Sequence, residues 1–338
     1  MRTTGMGRAL ARLGRSAAVA ALGTALGAAA LLGGGGAARA ATTIRFVYDW
    51  PSADFLLTPI AVAQSRGYYK AAGIKTAVAF PPNTETTARV LASGAADVGF
   101  EGSTDIAFAA AHGLPIISVG AFTQGNNWCL VGRPGEKIDL HHLAGKSIAV
   151  FTDSWTKAMM PFVLKAAGLK ESQIRPVIAT DDDITMLLAK KVDIATNTAN
   201  YAVPEVVGAV HQQPTLVCAP AFGAPDVPVW VFTARTAWAK SHPALLRKWL
   251  AATGKGMAWS VAHPRKAVAI LAKLYPATGD VSYSLIGWQE TAPLLKGKRG
   301  LLFQDAAQWT GLAQALKNTG QIPAVLPAAT YFTNAYLR

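Results

Sequence analysis

The sequence predicts an α/β fold in two lobes, and three observations carry that expectation. From Ile44 to Gly120, apolar runs of strand length alternate with segments of helix length. That alternation marks βαβ units and sheets covered on both faces. Composition then changes at the polar turn Gln124-Gly125-Asn126-Asn127, and a second alternating set begins near Leu140. Third, an extended run from Asp226 to Phe232 leads into a long helical remainder. The expected architecture is two lobes, each a mostly parallel sheet flanked by helices, joined by two crossings. Residues 41–125 and 228–338 would form lobe one, and residues 126–227 lobe two. A cleft lies between such lobes, and ligands bind beyond the carboxyl ends of the strands.

Each element has its own signal. Thr43 to Tyr48 alternates as a first strand; Leu56 to Ser65 reads as a helix stopped by Gly67. Ile74 to Phe80 is the second strand, and Thr84 or Thr86 caps the helix carrying Val90 and Leu91. Asp97 to Phe100 is a short strand, Ser103-Thr104-Asp105 opens a helix, and Ile116 to Phe122 is another strand. In the second set, Lys146 to Phe151 is a strand, followed by a helix from Trp155 to Ala167 that Gly168 closes. Gln173 to Ile178 and Val192 to Thr196 are strands, separated by a helix opening at Asp181-Asp182-Asp183, where acids favour the positive helix end. Asn197 to Tyr201 reads as a loop, Pro204 to Val210 as a helix and Pro214 to Cys218 as an edge strand. Helices from Pro243 to Ala262, Pro264 to Leu274 and Trp309 to Thr319 complete the chain.

The net charge is +13, and removing the five arginines of residues 1–40, which include no acid, leaves +8. With no Lys/Arg run or basic-aromatic stripe, the chain is not read as a nucleic-acid binder. Residues 1–40 read as a secretory signal: arginines up to Arg15, an apolar run from Ser16 to Leu32, and Ala38-Arg39-Ala40 as the cleavage site. Cleavage after Ala40 would make the protein periplasmic or secreted; an uncleaved anchor is the alternative. Cys129 and Cys218 lie in different strand-like segments, compatible with a disulfide after export or with two buried thiols.

Candidate binding residues gather at expected strand ends. Asp49 and Trp50 follow the first strand; an indole stacks on a flat ring and a carboxylate accepts from an amine. Glu101 follows the third strand, and Ser103 and Thr104 offer hydroxyls and free N–H groups at a helix start. Thr152, Ser154 and Trp155 hold the equivalent place in lobe two, and Asn197, Asn200 and Tyr201 lie on the facing loop. Asn126, Asn127, Asp226 and Trp230 flank the crossings. The six histidines show no metal spacing, and no nucleophile elbow, Walker loop or dinucleotide fingerprint occurs, so neither catalysis nor a cofactor or metal is expected.

Several stretches resemble the substrate-binding proteins of ABC transporters, in the nitrate/sulfonate/thiamine-precursor group. These are Asp49-Trp50, Gly67-Tyr68-Tyr69-Lys70, Gly73-Ile74, Gly94 with Asp97, Ala111 to Pro115, and Asp139-Leu140 through Lys146. Asp49-Trp50 and Phe332-Thr333-Asn334 are most similar to the binders of thiamine pyrimidine precursors. The resemblance spans Thr43 to Arg338. It implies a type 2 periplasmic-binding-protein fold and a monomer that carries a small ligand to an ABC permease and its ATPase. The implied ligand is formylaminopyrimidine or hydroxymethylpyrimidine, with a sulfonate, taurine or another small anion as the alternative. A pyrimidine-synthase-like enzyme of the same fold is a third reading, against which the signal segment stands. One departure is that Ala202 stands where that branch usually carries Glu. Either Glu101 supplies the carboxylate from the opposite lobe, or the ligand differs.

Overall fold

The structure is a computed structural model that describes residues 41–83, 86–180 and 182–337. The reading of residues 1–40 as a signal falls outside the described residues, as do Thr84 and Asp181. From Ala41 onward the described chain forms one compact unit.

The first lobe is built on a five-stranded sheet. Its strands are β1 (Thr42–Val47), β2 (Ile74–Ala79), β3 (Val98–Gly102), β4 (Ile116–Ala121) and a late arrival, Trp230–Arg235. Between them lie a 3-10 turn at Phe55–Leu57, α1 (Thr58–Ser65), α2 (Tyr68–Ala71), α3 (Thr87–Ser93) and α4 (Ser103–Ala111). The second group holds β5 (Trp128–Gly132), β6 (Ser147–Val150), α5 (Ser154–Ala167), β7 (Arg175–Ile178), α6 (Asp183–Leu188), β8 (Ala195–Thr198), α7 (Ala199–Val210) and β9 (Thr215–Cys218). The chain then returns as β10 (Trp230–Arg235), followed by α8 (Thr236–Ser241), α9 (Pro243–Ala262), α10 (Pro264–Leu274), α11 (Val281–Thr291), α12 (Ala306–Asn318) and α13 (Ala328–Tyr331).

The first sheet has the order β2-β1-β3-β10-β4. In it β1 runs parallel to β2 and β3, while β10 is antiparallel to both β3 and β4. In the second group β5 is antiparallel to β8 and β9, and β6 is parallel to β7. A parallel bridge between Ile148 and Ile194 links the two pieces. The sheets are therefore mixed rather than mostly parallel, and the reason is topological. The strand after each crossing, β5 or β10, enters its sheet at the end where the parallel strands finish, so it must run the other way. Trp230, the first residue of β10, accordingly pairs with Gly102, the last of β3.

Helix α9 packs its buried face (Leu246, Trp249, Leu250, Thr253, Met257) on α1. Contact is close at Gly256, where a Cβ would stand 2.3 Å from the carbonyl oxygen of Pro59. Cys129 and Cys218 face each other across β5 and β9 and form a disulfide, with Cα atoms 3.9 Å apart. The open choice between a disulfide and two thiols resolves to the former.

Three local expectations shift. The strand expected over Val192–Thr196 runs instead as β8, Ala195–Thr198, so Asn200 and Tyr201 lie in the first turn of α7 rather than in a loop. Pro204 lies inside that helix and does not start it. Thr86 takes the cap position of α3 without a side-chain cap bond; its hydroxyl donates to the Asn83 carbonyl. Phe332 and Thr333 of the tail run along β4, where the Thr333 N–H donates to the Ser118 carbonyl.

Candidate functional site

β1 delivers Tyr48, Asp49 and Trp50 to the end of the first sheet. Tyr48 stacks on Phe100 at 5.3 Å, and Trp50 meets Trp230 edge-on at 4.8 Å. Asp54 caps the 3-10 turn that follows, accepting from the Leu56 N–H at 2.8 Å. It also accepts from the Tyr48 hydroxyl and, at 2.6 Å, from the Tyr201 hydroxyl on α7. The Tyr201 ring stacks on Trp50 at 6.0 Å with planes 17° apart. Tyr201 thus comes from the second group onto two residues of the first.

Three carboxyl groups cluster beside these rings. Asp49 is 3% exposed and Glu101 1%; Asp49 Oδ1 and Glu101 Oε2 have no hydrogen-bond partner. The other Glu101 oxygen accepts from the Thr233 hydroxyl at 2.7 Å. Burial, with the nearby Asp105 charge, raises Glu101 to about 8. Burial together with Asp105 and Glu101 pushes Asp49 well above the carboxylate range. Asp105, in the first turn of α4, accepts from the Gly102 N–H and from the Ser154 hydroxyl. Burial, the largest cause, and the Asp153 charge raise it to about 6, while those bonds pull it down. An unpartnered buried oxygen costs about 1–3 kcal/mol, so this cluster holds acceptors at the expense of stability. The indole N–H groups of Trp155 and Trp230 are likewise buried and unpartnered.

The second group meets this rim at two helix starts. Thr104 and Ser154 hydroxyls lie 3.0 Å apart, joining the beginnings of α4 and α5. Asp153 caps α5, accepting from the Thr156 N–H at 2.7 Å. At the start of α7, Asn200 accepts from Asn127 at 2.6 Å and donates to the Thr291 hydroxyl of α11 at 3.1 Å. The crossings themselves are bound together. Asp226 accepts from the Asn126 N–H at 3.0 Å, and the Gln308 side-chain amide donates to the carbonyls of Gln124 and Asp226 at 3.2 and 3.1 Å.

The structure thus gathers Asp49, Trp50, Glu101, Thr104, Ser154, Asn200 and Tyr201 along one boundary between the groups. Ser103 is buried and donates to the Pro228 carbonyl, which makes it structural. Thr152 is exposed, and Asn197 donates to Asp183 within the second group. Trp155 is buried at the start of α5. Asn126 and Asp226 serve the crossing, and Trp230 lines the aromatic cluster. Asp54, Tyr48 and Asp105 were not singled out from the sequence. Asp54 looks like an ordinary turn cap, and only its spacing from Tyr48, across the Trp50-Pro51 bend, hints at more.

A mixed five-stranded sheet, a second group of strands in an antiparallel three-stranded and a parallel two-stranded piece, two crossings, and a boundary of aromatic and carboxyl groups define a two-lobed protein of the periplasmic-binding-protein fold. The chain belongs to the NMT1/THI5 like family, whose model matches residues 55–267. It is 23% identical over 291 residues to the riboflavin-binding protein RibY of Chloroflexus aurantiacus, covering 82% of each chain. Over 130 residues it is 29% identical to the 4-amino-5-hydroxymethyl-2-methylpyrimidine phosphate synthase of Schizosaccharomyces pombe, spanning 38% of this chain and 37% of that one. Among solved structures it superposes on the periplasmic aliphatic sulphonate binding protein SsuA of Escherichia coli with TM-score 0.66 at 17% identity, covering 86% of this chain and 92% of that one. The periplasmic nitrate-binding protein NrtA of Synechocystis PCC 6803 gives 0.65 at 12% identity, with 88% and 87% covered. These superpositions show the fold.

Proposed function

We propose that the protein is an extracytoplasmic binding protein that closes two lobes on a flat, amine-bearing heterocycle and delivers it to an ABC importer. One lobe is residues 41–125 with 228–338, the other residues 126–227. A thiamine pyrimidine precursor, formylaminopyrimidine or hydroxymethylpyrimidine, fits this reading. The observation that carries it is the pair of buried carboxyl groups, Asp49 and Glu101, each with an oxygen lacking a partner beside Trp50 and Trp230. An exocyclic amine or ring N–H supplies the missing donors, and the indoles supply stacking faces. Glu101 then takes the place that Ala202 leaves vacant. The partial match to pyrimidine phosphate synthases points to the same ligand chemistry.

An anion fits less well. The starts of α4 and α5, where a sulfonate would dock, already hold Asp105 and Asp153. Riboflavin is the second reading, favoured by the relative matched over 82% of its length. We read the chain as a carrier rather than a synthase, since the synthase match covers only 38% of it. Product formed in stoichiometric excess over protein would overturn that.

The test is thermal denaturation of residues 41–338 against a panel of formylaminopyrimidine, hydroxymethylpyrimidine, thiamine, riboflavin, taurine, alkanesulfonates and nitrate. Ligand at a hundred times its Kd adds about 2.7 kcal/mol, a shift of several degrees. A shift with a pyrimidine alone is expected. A shift confined to the anions would refute the carboxylate reading, and one confined to riboflavin would select the second.

A further inference from the structure

The charge of this protein is not spread evenly. Residues 41–338 carry a net +8, and residues 227–279 alone hold eight Lys and Arg side chains and no Asp or Glu. That one segment accounts for the entire excess, and the rest of residues 41–338 is electrically balanced. It forms β10, α8, α9 and α10. On α9 the exposed stripe runs Ala244, Arg247, Lys248, Ala251, Lys255, Ala258. On α10 Arg265, Lys266, Ala269 and Lys273 are exposed, while Ala267, Val268 and Leu271 are buried. Among the described residues no ion pair engages any of these cations. Unneutralised charge concentrated on adjacent helices costs self-repulsion and gains nothing in folding.

We propose that this helical face docks on an anionic lipid surface. Two features favour lipid over an acidic protein. First, from Ala244 to Ala258 the exposed positions of α9 are cations and alanines only, so this stretch offers none of the large apolar or aromatic anchors that concentrate binding energy in protein interfaces, and the exposed Val261 and Leu274 lie at the carboxyl ends of α9 and α10. A fluid bilayer requires no such complementarity; each Lys or Arg near an anionic leaflet contributes independently. Second, the residues at the carboxyl end of α9 have interfacial chemistry. Trp259 is half-buried with the Arg66 guanidinium 4.5 Å from its ring and His263 stacked on it at 4.5 Å, and Val261 is 41% exposed. Indoles are enriched where protein meets headgroups. The docking would hold the carrier near the bilayer whichever ligand the cleft takes.

The experiment is flotation of residues 41–338 with vesicles of phosphatidylcholine alone or mixed with phosphatidylglycerol. Binding to the mixed vesicles only, abolished by high salt, is expected. A quadruple variant, Arg247→Gln, Lys248→Gln, Lys255→Gln and Lys266→Gln, should bind them roughly a hundredfold more weakly or worse. It should melt no lower than the parent and bind the cleft's ligand equally well, since all four side chains are exposed and their loss relieves repulsion. The salt titration of the unaltered protein needs no variant and stands if the variant misfolds. Equal binding to neutral vesicles, or a folded variant that floats as well as the parent, overturns the proposal. So does failure of the parent to float while the variant impairs uptake through the reconstituted importer, which would make the face a protein contact.

Discussion

Glu101 holds one oxygen against Thr233 and leaves the other without a donor, at 1% exposure. With its pKa raised to about 8 and that of Asp105 to about 6, the folded chain binds more protons than the unfolded chain from the ordinary carboxylate range up to about pH 8. Stability contributed by these protonated forms is present at low pH and lost as pH rises through that window. Ligand-free protein should therefore melt at a falling temperature between pH 5 and pH 8.5. Glu101→Gln should reduce that slope, chiefly at its upper end, raise the melting temperature at pH 8.5 by a few degrees, and weaken the ligand by about tenfold or more; the raised Asp49 and Asp105 keep the remainder. A flat profile for the parent protein would defeat the argument. Asp49 and Trp50 were legible because they directly follow an apolar strand, where α/β sheets place ligands. Asp105 was not, because an acid in a first helical turn has an ordinary explanation, and only the Ser154 side chain arriving from another part of the chain reveals its setting.

At the scale of elements, helices announced by proline were read to the residue: α9 and α10 begin at Pro243 and Pro264 as expected. The same cue failed at α7. Pro204 was taken as the start, whereas the helix begins at Ala199 and tolerates the proline, losing the bond its N–H would give the Asn200 carbonyl. Strand direction was also hidden, because local pattern gives a strand's length and burial but not the side from which it enters the sheet. Packing between helices yields its own expectation. Gly256 has the Pro59 carbonyl where a methyl would go, and backbone cannot swing aside as a side chain can. Gly256→Ala, which would raise helix propensity at an exposed site, should instead destabilise by about 1–3 kcal/mol. Denaturant unfolding measures this, and an unchanged or increased midpoint would show that α1 and α9 separate freely.

For the whole molecule, three bonds cross the boundary between the two groups: Tyr201 to Asp54, Asn200 to Thr291, Ser154 to Asp105. Gln308 meanwhile ties both crossings to α12. Combining Tyr201→Phe with Asn200→Ala should shift the ligand-free protein toward open forms, seen as a larger radius of gyration in small-angle scattering that ligand partly reverses. An unchanged radius would mean that these bonds do not hold the lobes together. The two-lobed plan was readable from the change of composition near Gln124 and the return near Asp226, but which bonds bridge the lobes depends on side chains that the crossings bring together.

The end of the chain has a different consequence. Strand β4 is the last in its sheet, and its outer side is met by Leu302, bridged to Ala121, and by Phe332, bridged to Ser118. Gln304 fastens this cover: its side chain bonds Ser118, and its backbone exchanges hydrogen bonds with the Asn334 amide. An open outer strand is a template on which a second molecule can add its own. The segment from Phe332 to Asn334 thus covers part of that outer strand, and removing it should leave the cleft in place while making the protein more prone to clump, which light scattering of the shortened protein would register.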